Sequence, residues 1–463
     1  MSTSDDPLLE PPPDDGPAAA SAESVQQIYA SLAPEALDSE LDTRAAPLVD
    51  DAWLRAQRVH AVLVAHDGQP WLPQVLDSLA ALDASPVSVV AVDTGSRDAT
   101  PELLRESAVV TRVVDCDRST GFPAAVAAGY AGLPESDAPE REWIWVLHDD
   151  VAPERDCLHH LLAAALLHDA AVVGPKAVDW SGSRLLVEMG VSITGSGRRY
   201  TGIETREYDQ GQHDDRRDVL AVGTAGMLVR RDVWTALGGL DPQIDLFRDD
   251  VDLGWRARLA GYRVIVEPRA VVRHAAAAAG GRRRPDASAS RAALTDRRNA
   301  VHVLLANAGP WAFPLVLART IVGTLLRAVG FVIGKVPALA ADEIVAVAGA
   351  LRPSRLVAAR RWRSRSGRSG SVAGLRPTLG TQLRNAVDNA GAVLAGAGAG
   401  QDIGVGRRRA AAALDETADE DSAVSPVDGQ ETRLARWPGL WLVLALAVVT
   451  VVGARTVLLA GDL

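Results

Sequence analysis

Lysine is nearly missing from this chain of 463 residues: Lys176 and Lys335 are the only two, so arginine carries almost all of the positive charge. Aromatic residues are also scarce, at 4%. Arg, Ala, Gly and Val in abundance beside so little Lys is the composition of a GC-rich genome, not of an arginine-built nucleic-acid surface. Formal net charge is -11 and no single basic domain stands out, which argues against nucleic acid as a partner. The only two cysteines, Cys116 and Cys157, have no metal or redox spacing. They read as buried thiols in a reducing compartment. The start of the chain does not read as a secretory leader either. The opening MSTSDDPLLEPPPDDGP is acidic and Pro-rich, the reverse of a basic-then-apolar signal, and residues 1–50 read as a disordered tail.

At 48% hydrophobic, the chain can build one large core plus appendages. Residues 56–305 alternate apolar strand runs with helical stretches. The run from Val59 to Ala65 predicts a strand, and Leu72, Val75, Leu76 and Leu79 predict one face of a following helix. Further strands are expected at 87–93, 109–114 and 143–147, with helices at 100–106, 121–130 and 249–260. Such alternation predicts an α/β fold with a mostly parallel sheet covered by helices. Ligands bind such sheets outside the carboxyl ends of the strands. Three strands here end on acids or His: at Asp67, at Asp93, and at Asp149 and Asp150.

Each acid group has a bland and a chemical reading. Asp149 and Asp150 repel each other beyond a buried strand. A hard divalent cation, Mg2+ or Mn2+, would compensate them, and so would a solvated turn or a helix cap. Asp93 can accept hydrogen bonds from a base or a ribose, while Asp98 suits a cap. Asp249 and Asp250 open a predicted helix, where acids are favoured by the dipole. Three acids in four residues exceed what capping needs, and one carboxylate can act as general base. His274, taken alone, reads as structural.

The order of these motifs carries more than any one of them. VLVAHDG from Val62, VDTGSRD from Val92, GFPAAVAAG from Gly121, LHDDVAPE from Leu147, GMLVRR from Gly226, GGLDP from Gly238, DDVDLGWR from Asp249 and then His274 cover about residues 59–275. This series resembles the family-2 glycosyltransferases of the GT-A fold, especially the bacterial rhamnosyl- and galactofuranosyltransferase-like branch. The resemblance implies an inverting transferase using a nucleotide-sugar donor, such as dTDP-rhamnose or a UDP-sugar, and a glycan or polyprenyl-linked acceptor of the cell envelope. It implies donor binding by Asp67, Asp93, the adjacent Ser96 and Asp149, the last being the acid before the final acid of the metal motif. Asp150 and His274 are implied as metal ligands, Asp250 as the general base with Asp249 in the preceding position, and Gly226 and Met227 on the acceptor side. Two positions depart from the family: His148 stands where many relatives have Asp, and Asp249 where they have Glu.

Beyond the catalytic region, residues 306–360 are apolar with periodic arginines. Arg319, Gly323 and Arg327 recur every four residues, which predicts a helix in the membrane interface with its arginines toward lipid headgroups. Residues 361–436 read as a low-complexity linker, and 437–460 as a transmembrane helix. Arg433 and Arg436 before that span predict a cytoplasmic catalytic domain at the cell membrane. The alternatives are a non-catalytic scaffold of the same fold in an envelope assembly, which would not need Asp93, Asp150, Asp250 and His274 together, and a nucleotidyltransferase. The latter usually carries a Gly-rich, basic phosphate loop after the first strand, and AHDGQP from Ala65 is not one.

Overall fold

The first strand, β1 (Arg58–Ala65), is buried along seven of its eight residues, and its alternating side chains feed two different cores. Ala61, Leu63 and Ala65 enter one, and Val62 and Val64 the other. That is why the strand reads as an unbroken apolar run. The computed structural model describes residues 54–380, except 55, 183, 205, 278–291, 364–366, 368 and 379. The expected tail over 1–50, the expected span over 437–460 and most of the expected linker lie outside the described residues.

After β1 come α1 (Leu72–Ala80), β2 (Ser88–Asp93), α2 (Thr100–Glu106), β3 (Arg112–Asp115), α3 (Phe122–Ala131), β4 (Glu142–His148), β5 (Val151–Pro153) and α4 (Cys157–Leu167). Then follow β6 (Val172–Asp179), β7 (Leu186–Glu188), the hairpin β8 (Ser192–Ile193) and β9 (Arg199–Tyr200), β10 (Met227–Arg230), α5 (Arg231–Leu237), α6 (Asp249–Leu259) and β11 (Val264–His274). The chain continues through α7 (Ala292–Asn307), α8 (Phe313–Ile333), α9 (Pro337–Ala350) and α10 (Pro353–Arg363). Among the described residues the main sheet has nine strands, in the order β3-β2-β1-β4-β10-β6-β11-β5, with β7 beside β6. Helices α1 and α4 close one face, through Leu72, Val75, Leu158 and Leu161. Helices α3, α5 and α6 close the other, through Val126, Trp234 and Leu253.

The expected α/β architecture is present, but the sheet is mixed. Its first half, β3-β2-β1-β4, is parallel as predicted. Strand β10 then runs antiparallel to both β4 and β6, and β5 antiparallel to β11. Periodicity reports that a segment is a strand, not its direction, so the reversal was not legible in the pattern. Of the two thiols, Cys157 is buried and Cys116 only partly so.

Two expectations for the C-terminal part change. Helix α8 is, among the described residues, the one helix long and apolar enough to cross a membrane. Part of its polar stripe, Thr320, Thr324 and Arg327, faces the protein, however. Arg327 pairs with the buried Glu343 of α9 at 2.6 Å, which Arg297 of α7 also reaches at 2.9 Å. Thr320 and Thr324 are buried on the same side, while Leu315, Val322, Leu325, Leu326, Val329 and Val332 point outward. Arg327 thus turns inward, while Arg319 stays exposed. A carboxylate ten residues beyond the helix draws Arg327 inward, because a buried Glu needs a cation. The stretch expected as linker from 361 also starts as packed chain: Arg363 is buried, Gly370 N donates to Leu259 O, and Ser192 Oγ donates to Leu375 O.

Candidate active site

Parallel pairing sets Ala65 opposite Asp93 and Val64 opposite His148, so the three acid-ending strands terminate side by side at one sheet edge. The loop after β1 is tied to the loop after β2. Asp67 N donates to Ser96 Oγ at 2.9 Å, and Ser96 N donates to the Asp93 carboxylate at 3.3 Å. Asp67 itself has a positive φ of 47°, tolerable for an Asp. Its carboxylate accepts Arg118 at 2.6 Å and Arg97 N at 2.8 Å. The Arg118 hydrogen bonds hold the Asp67 pKa down at about 2 despite partial burial. Asp67, Asp93 and Ser96 therefore form one cluster, joined by Arg118, which no motif had marked. Asp98 lies one residue ahead of the N-cap, Ala99, rather than at it; its Oδ1 accepts Thr100 N and its Oδ2 accepts Gln69 N from the loop after β1.

The two acids after β4 diverge. A strand, β5, follows them, so neither caps a helix. Asp149 is buried and turns toward the first loop, accepting His66 N at 2.8 Å. A Cβ on Gly68 would lie 2.4 Å from Asp149 Oδ2, so only glycine permits this approach. Asp150 turns the other way. Its Oδ2 accepts Ala277 N at 2.8 Å, and its Oδ1 faces His274 Nε2 at 3.7 Å and His148 Nδ1 at 3.9 Å. The ligand atoms of His148, Asp150 and His274 all lie within 4.8 Å of one another. Two imidazoles and one carboxylate so placed fit a divalent cation with open positions. His148, which the sequence presents as a departure from the family's acids, thereby joins the set. Asp149, the acid before Asp150 in the metal motif, stands outside the set.

From this cluster a chain of polar contacts leads to the acids of α6. His148 Nε2 lies 3.1 Å from Thr224 Oγ1, and the neighbouring Gly223 N donates to Glu188 Oε1 at 2.7 Å. Glu188 holds Arg199 at 2.6 Å, and Arg199 in turn donates to Asp250 Oδ2 at 2.5 Å. Asp250 Oδ1 accepts Val251 N at 2.7 Å. Phe247 and Arg248, just before the acids, both have positive φ, of 64° and 72°. Such strain in non-Gly residues persists only where neighbours enforce it. Here Asp296 of α7 clamps Arg248 with two hydrogen bonds, at 2.5 and 2.7 Å. Met227, expected near the acceptor, is fully buried in the core instead.

Asp249 differs from its neighbour. Its buried Oδ2 has no hydrogen-bond partner among the described residues. Burial, then the adjacent Asp250 charge, push its pKa up to about 7. Between the ordinary carboxylate range and pH 7 the folded chain thus holds a proton that the unfolded chain has released, and stability falls as pH rises through that window. Replacing Asp249 by Asn removes this slope. The melting midpoint of Asp249→Asn relative to the parent is expected to rise by roughly 5 °C from pH 4 to pH 8. A pH-independent difference in thermal melts would overturn the buried-proton reading.

Arg118, Glu188, Arg199 and Thr224 carry no sequence signal, because each acts through a partner far away along the chain. The family described as "Glycosyltransferase like family 2" matches residues 56–297. The N-acetylglucosaminyl-diphospho-decaprenol L-rhamnosyltransferase of Mycobacterium tuberculosis is 30% identical over 228 residues, covering 46% of this chain and 74% of that protein. Among solved structures, S. aureus TarS 1-349 in complex with UDP-GlcNAc overlaps with a TM-score of 0.41 at 14% identity, over 66% of this chain and 88% of that one. GalNAc-T7 with UDP, GalNAc and Mn2+ overlaps with a TM-score of 0.39 at 14% identity, over 54% of this chain and 47% of that one. These two overlaps are too loose to bear on function. The family match spans half the chain and the mycobacterial enzyme matches most of its own length; this chain belongs to glycosyltransferase family 2.

Proposed function

We propose that the chain moves a sugar, with inversion, from a nucleoside-diphosphate sugar to a polyprenyl-linked or other cell-envelope glycan acceptor at the cytoplasmic face of the cell membrane. The observation that supports this reading is the alignment along one sheet edge of the Asp67 and Asp93 cluster, the His148, Asp150 and His274 set, and the Arg199–Asp250 pair beyond them. Its order is that of the substrates: nucleoside, diphosphate, reacting sugar, acceptor. The mycobacterial relative's name specifies rhamnosyl transfer to a diphospho-decaprenol acceptor, which supports dTDP-rhamnose ahead of a UDP-sugar as donor. The outward apolar face of α8 supports a seat at the membrane.

In this mechanism Asp93 and Asp67 accept hydrogen bonds from the nucleoside. Bound by His148, Asp150 and His274, a divalent cation would neutralise the leaving diphosphate. Asp250 takes the proton of the acceptor hydroxyl as its oxygen attacks the anomeric carbon from the face opposite the diphosphate. The carbon–oxygen bond to the diphosphate breaks in the same displacement, so the centre inverts and no enzyme nucleophile is needed. Arg199 orients the Asp250 carboxylate, whose oxygens each keep a second lone pair for the incoming hydroxyl.

Two imidazoles in the donor set favour Mn2+ over Mg2+, which prefers oxygen ligands. Asp150→Ala is expected to weaken Mn2+-dependent binding of dTDP-rhamnose or a UDP-sugar by about 100-fold, read by calorimetric titration. Unaltered binding would reject Asp150 as a ligand. Thermal stabilisation of the protein by a panel of nucleotide sugars with each metal tests the donor class. A panel in which none stabilises it would remove the proposal.

A further inference from the structure

Behind the α6 helix lies a cavity of about 230 Å³ that takes no part in the row of acids. Its apolar wall includes Trp255, Leu304, Val316 and Val372, and two guanidinium groups, Arg319 and Arg376, line it with no carboxylate. Arg376 stacks 4.7 Å from the centre of the Trp255 ring and donates to Ile193 O at 3.2 Å. Arg319 packs against the tip of the β8–β9 hairpin, where a Cβ on Gly195 would lie 2.4 Å from its Nη2. Arg319 is exposed at the rim of the cavity and Arg376 is half-buried; neither makes an ion pair among the described residues, whereas the buried Arg231, Arg248, Arg256 and Arg363 all do. Two like charges facing one apolar space repel unless an anion lies between them.

The position of this cavity narrows the choice of anion. Arg319 and Val316 belong to α8, where the exposed Arg319 stands beside the outward apolar residues Leu315, Val322 and Leu326. Trp311, at its start, is 97% exposed, the placement of an aromatic side chain at a membrane–water boundary. Arginine forks match phosphate geometry. We propose that Arg319 and Arg376 bind the phosphate or diphosphate group of a membrane lipid whose chains lie along the outer face of α8. The hairpin that packs on Arg319 also carries Arg199, the partner of Asp250, so a lipid held here lies on the acceptor side of the site. This inference rests on the membrane seating proposed above.

Vesicle flotation of the full chain tests it, with net-neutral phosphatidylcholine, with added phosphatidylglycerol, and with added polyprenyl diphosphate. The parent protein is expected to bind either phosphate-bearing mixture about tenfold more tightly than phosphatidylcholine alone. Arg319→Gln combined with Arg376→Gln is expected to lose that gain and to keep its binding to phosphatidylcholine. A gain only with polyprenyl diphosphate identifies the lipid-linked acceptor as the source, and a gain with both identifies bulk acidic lipid. A double variant that retains the gain overturns the site. A parent without lipid preference, in which soluble pyrophosphate alone binds and depends on the two arginines, overturns the lipid source. If the parent fails to bind any vesicle, the membrane seating falls instead, and pyrophosphate titration of parent and double variant then decides whether the cavity takes phosphate at all.

Discussion

Asp250→Asn is expected to lower the transfer rate by about 10²- to 10⁴-fold while leaving nucleotide-sugar binding within about twofold of the parent. The substitution is nearly isosteric. An amide oxygen can still accept from Arg199 or from Val251 N, which now bind Asp250 at 2.5 and 2.7 Å. The variant loses the charge that, in the proposed mechanism, takes up the acceptor hydroxyl proton. In the proposed mechanism donor binding rests on Asp67, Asp93 and the His148, Asp150 and His274 set, so it should survive. Steady-state turnover together with donor titration separates the two effects. Unchanged turnover would sink Asp250 as the base, and lost donor binding would show that Asn disturbs the fold. Arg199→Lys is the companion variant: it keeps a cation beside Asp250 but not the fork that spans Glu188 and Asp250, so it should fall between parent and Asp250→Asn.

Arg363→Met should cost about 3–5 kcal/mol of stability, a drop of roughly 10 °C in the melting midpoint. Arg363 comes from α10, beyond the family match, yet its guanidinium is buried against two carboxylates. It lies 2.7 Å from Asp241 Oδ2 and also pairs with Asp252. Asp252 further accepts Arg256 at 2.7 Å and Asn307 at 2.9 Å, and Asp241 pairs with His302 at 2.9 Å. Burial alone would push the Asp241 pKa up. The His302 hydrogen bond and the Arg363 charge outweigh it and hold the group below the usual carboxylate range. Its contribution to stability is therefore present above that range and lost as the pH falls through its lowered pKa. Removing Arg363 leaves two buried acids short of a cation, one helical turn from Asp249. The exposed pair Arg105–Asp115, at 2.8 Å, is the control: Arg105→Ala should change stability by less than about 1 kcal/mol. Equal effects at the two sites, read by urea unfolding, would refute the role of burial. Arg363→Met should also slow turnover, because the network fixes the helix that carries Asp250.

Asp252 shows how residue type and neighbourhood in the chain leave a role open. It lies in the same run of acids as Asp249 and Asp250, and Arg256 four residues on is an ordinary helical pair. In the fold it points away from the substrate edge, into the network that α7 and α10 complete. Asp149 and Asp150 divide in the same manner. They are adjacent in sequence, but one pins the loop after β1 and the other faces two histidines.

What the sequence determined by itself is local and ordinal. Unbroken β-branched and aromatic runs made β1, β2 and β4 strands, acids and His148 at their carboxyl ends marked the binding edge, and the order of eight motifs carried the family. What only the tertiary structure decided is pairing across distance. His274 meets Asp150 because β11 runs antiparallel to β5, with His274 opposite Val151. Arg199 meets Asp250 because a short hairpin folds over the start of α6. The arginines of α8 mark a face at a spacing of four or eight residues, but spacing cannot say what that face meets. The buried Glu343 of α9 settles it, since a carboxylate removed from water binds the nearest guanidinium. The apolar side of α8 is thereby left outward, and the arginine that Glu343 does not reach, Arg319, is left beside the cavity.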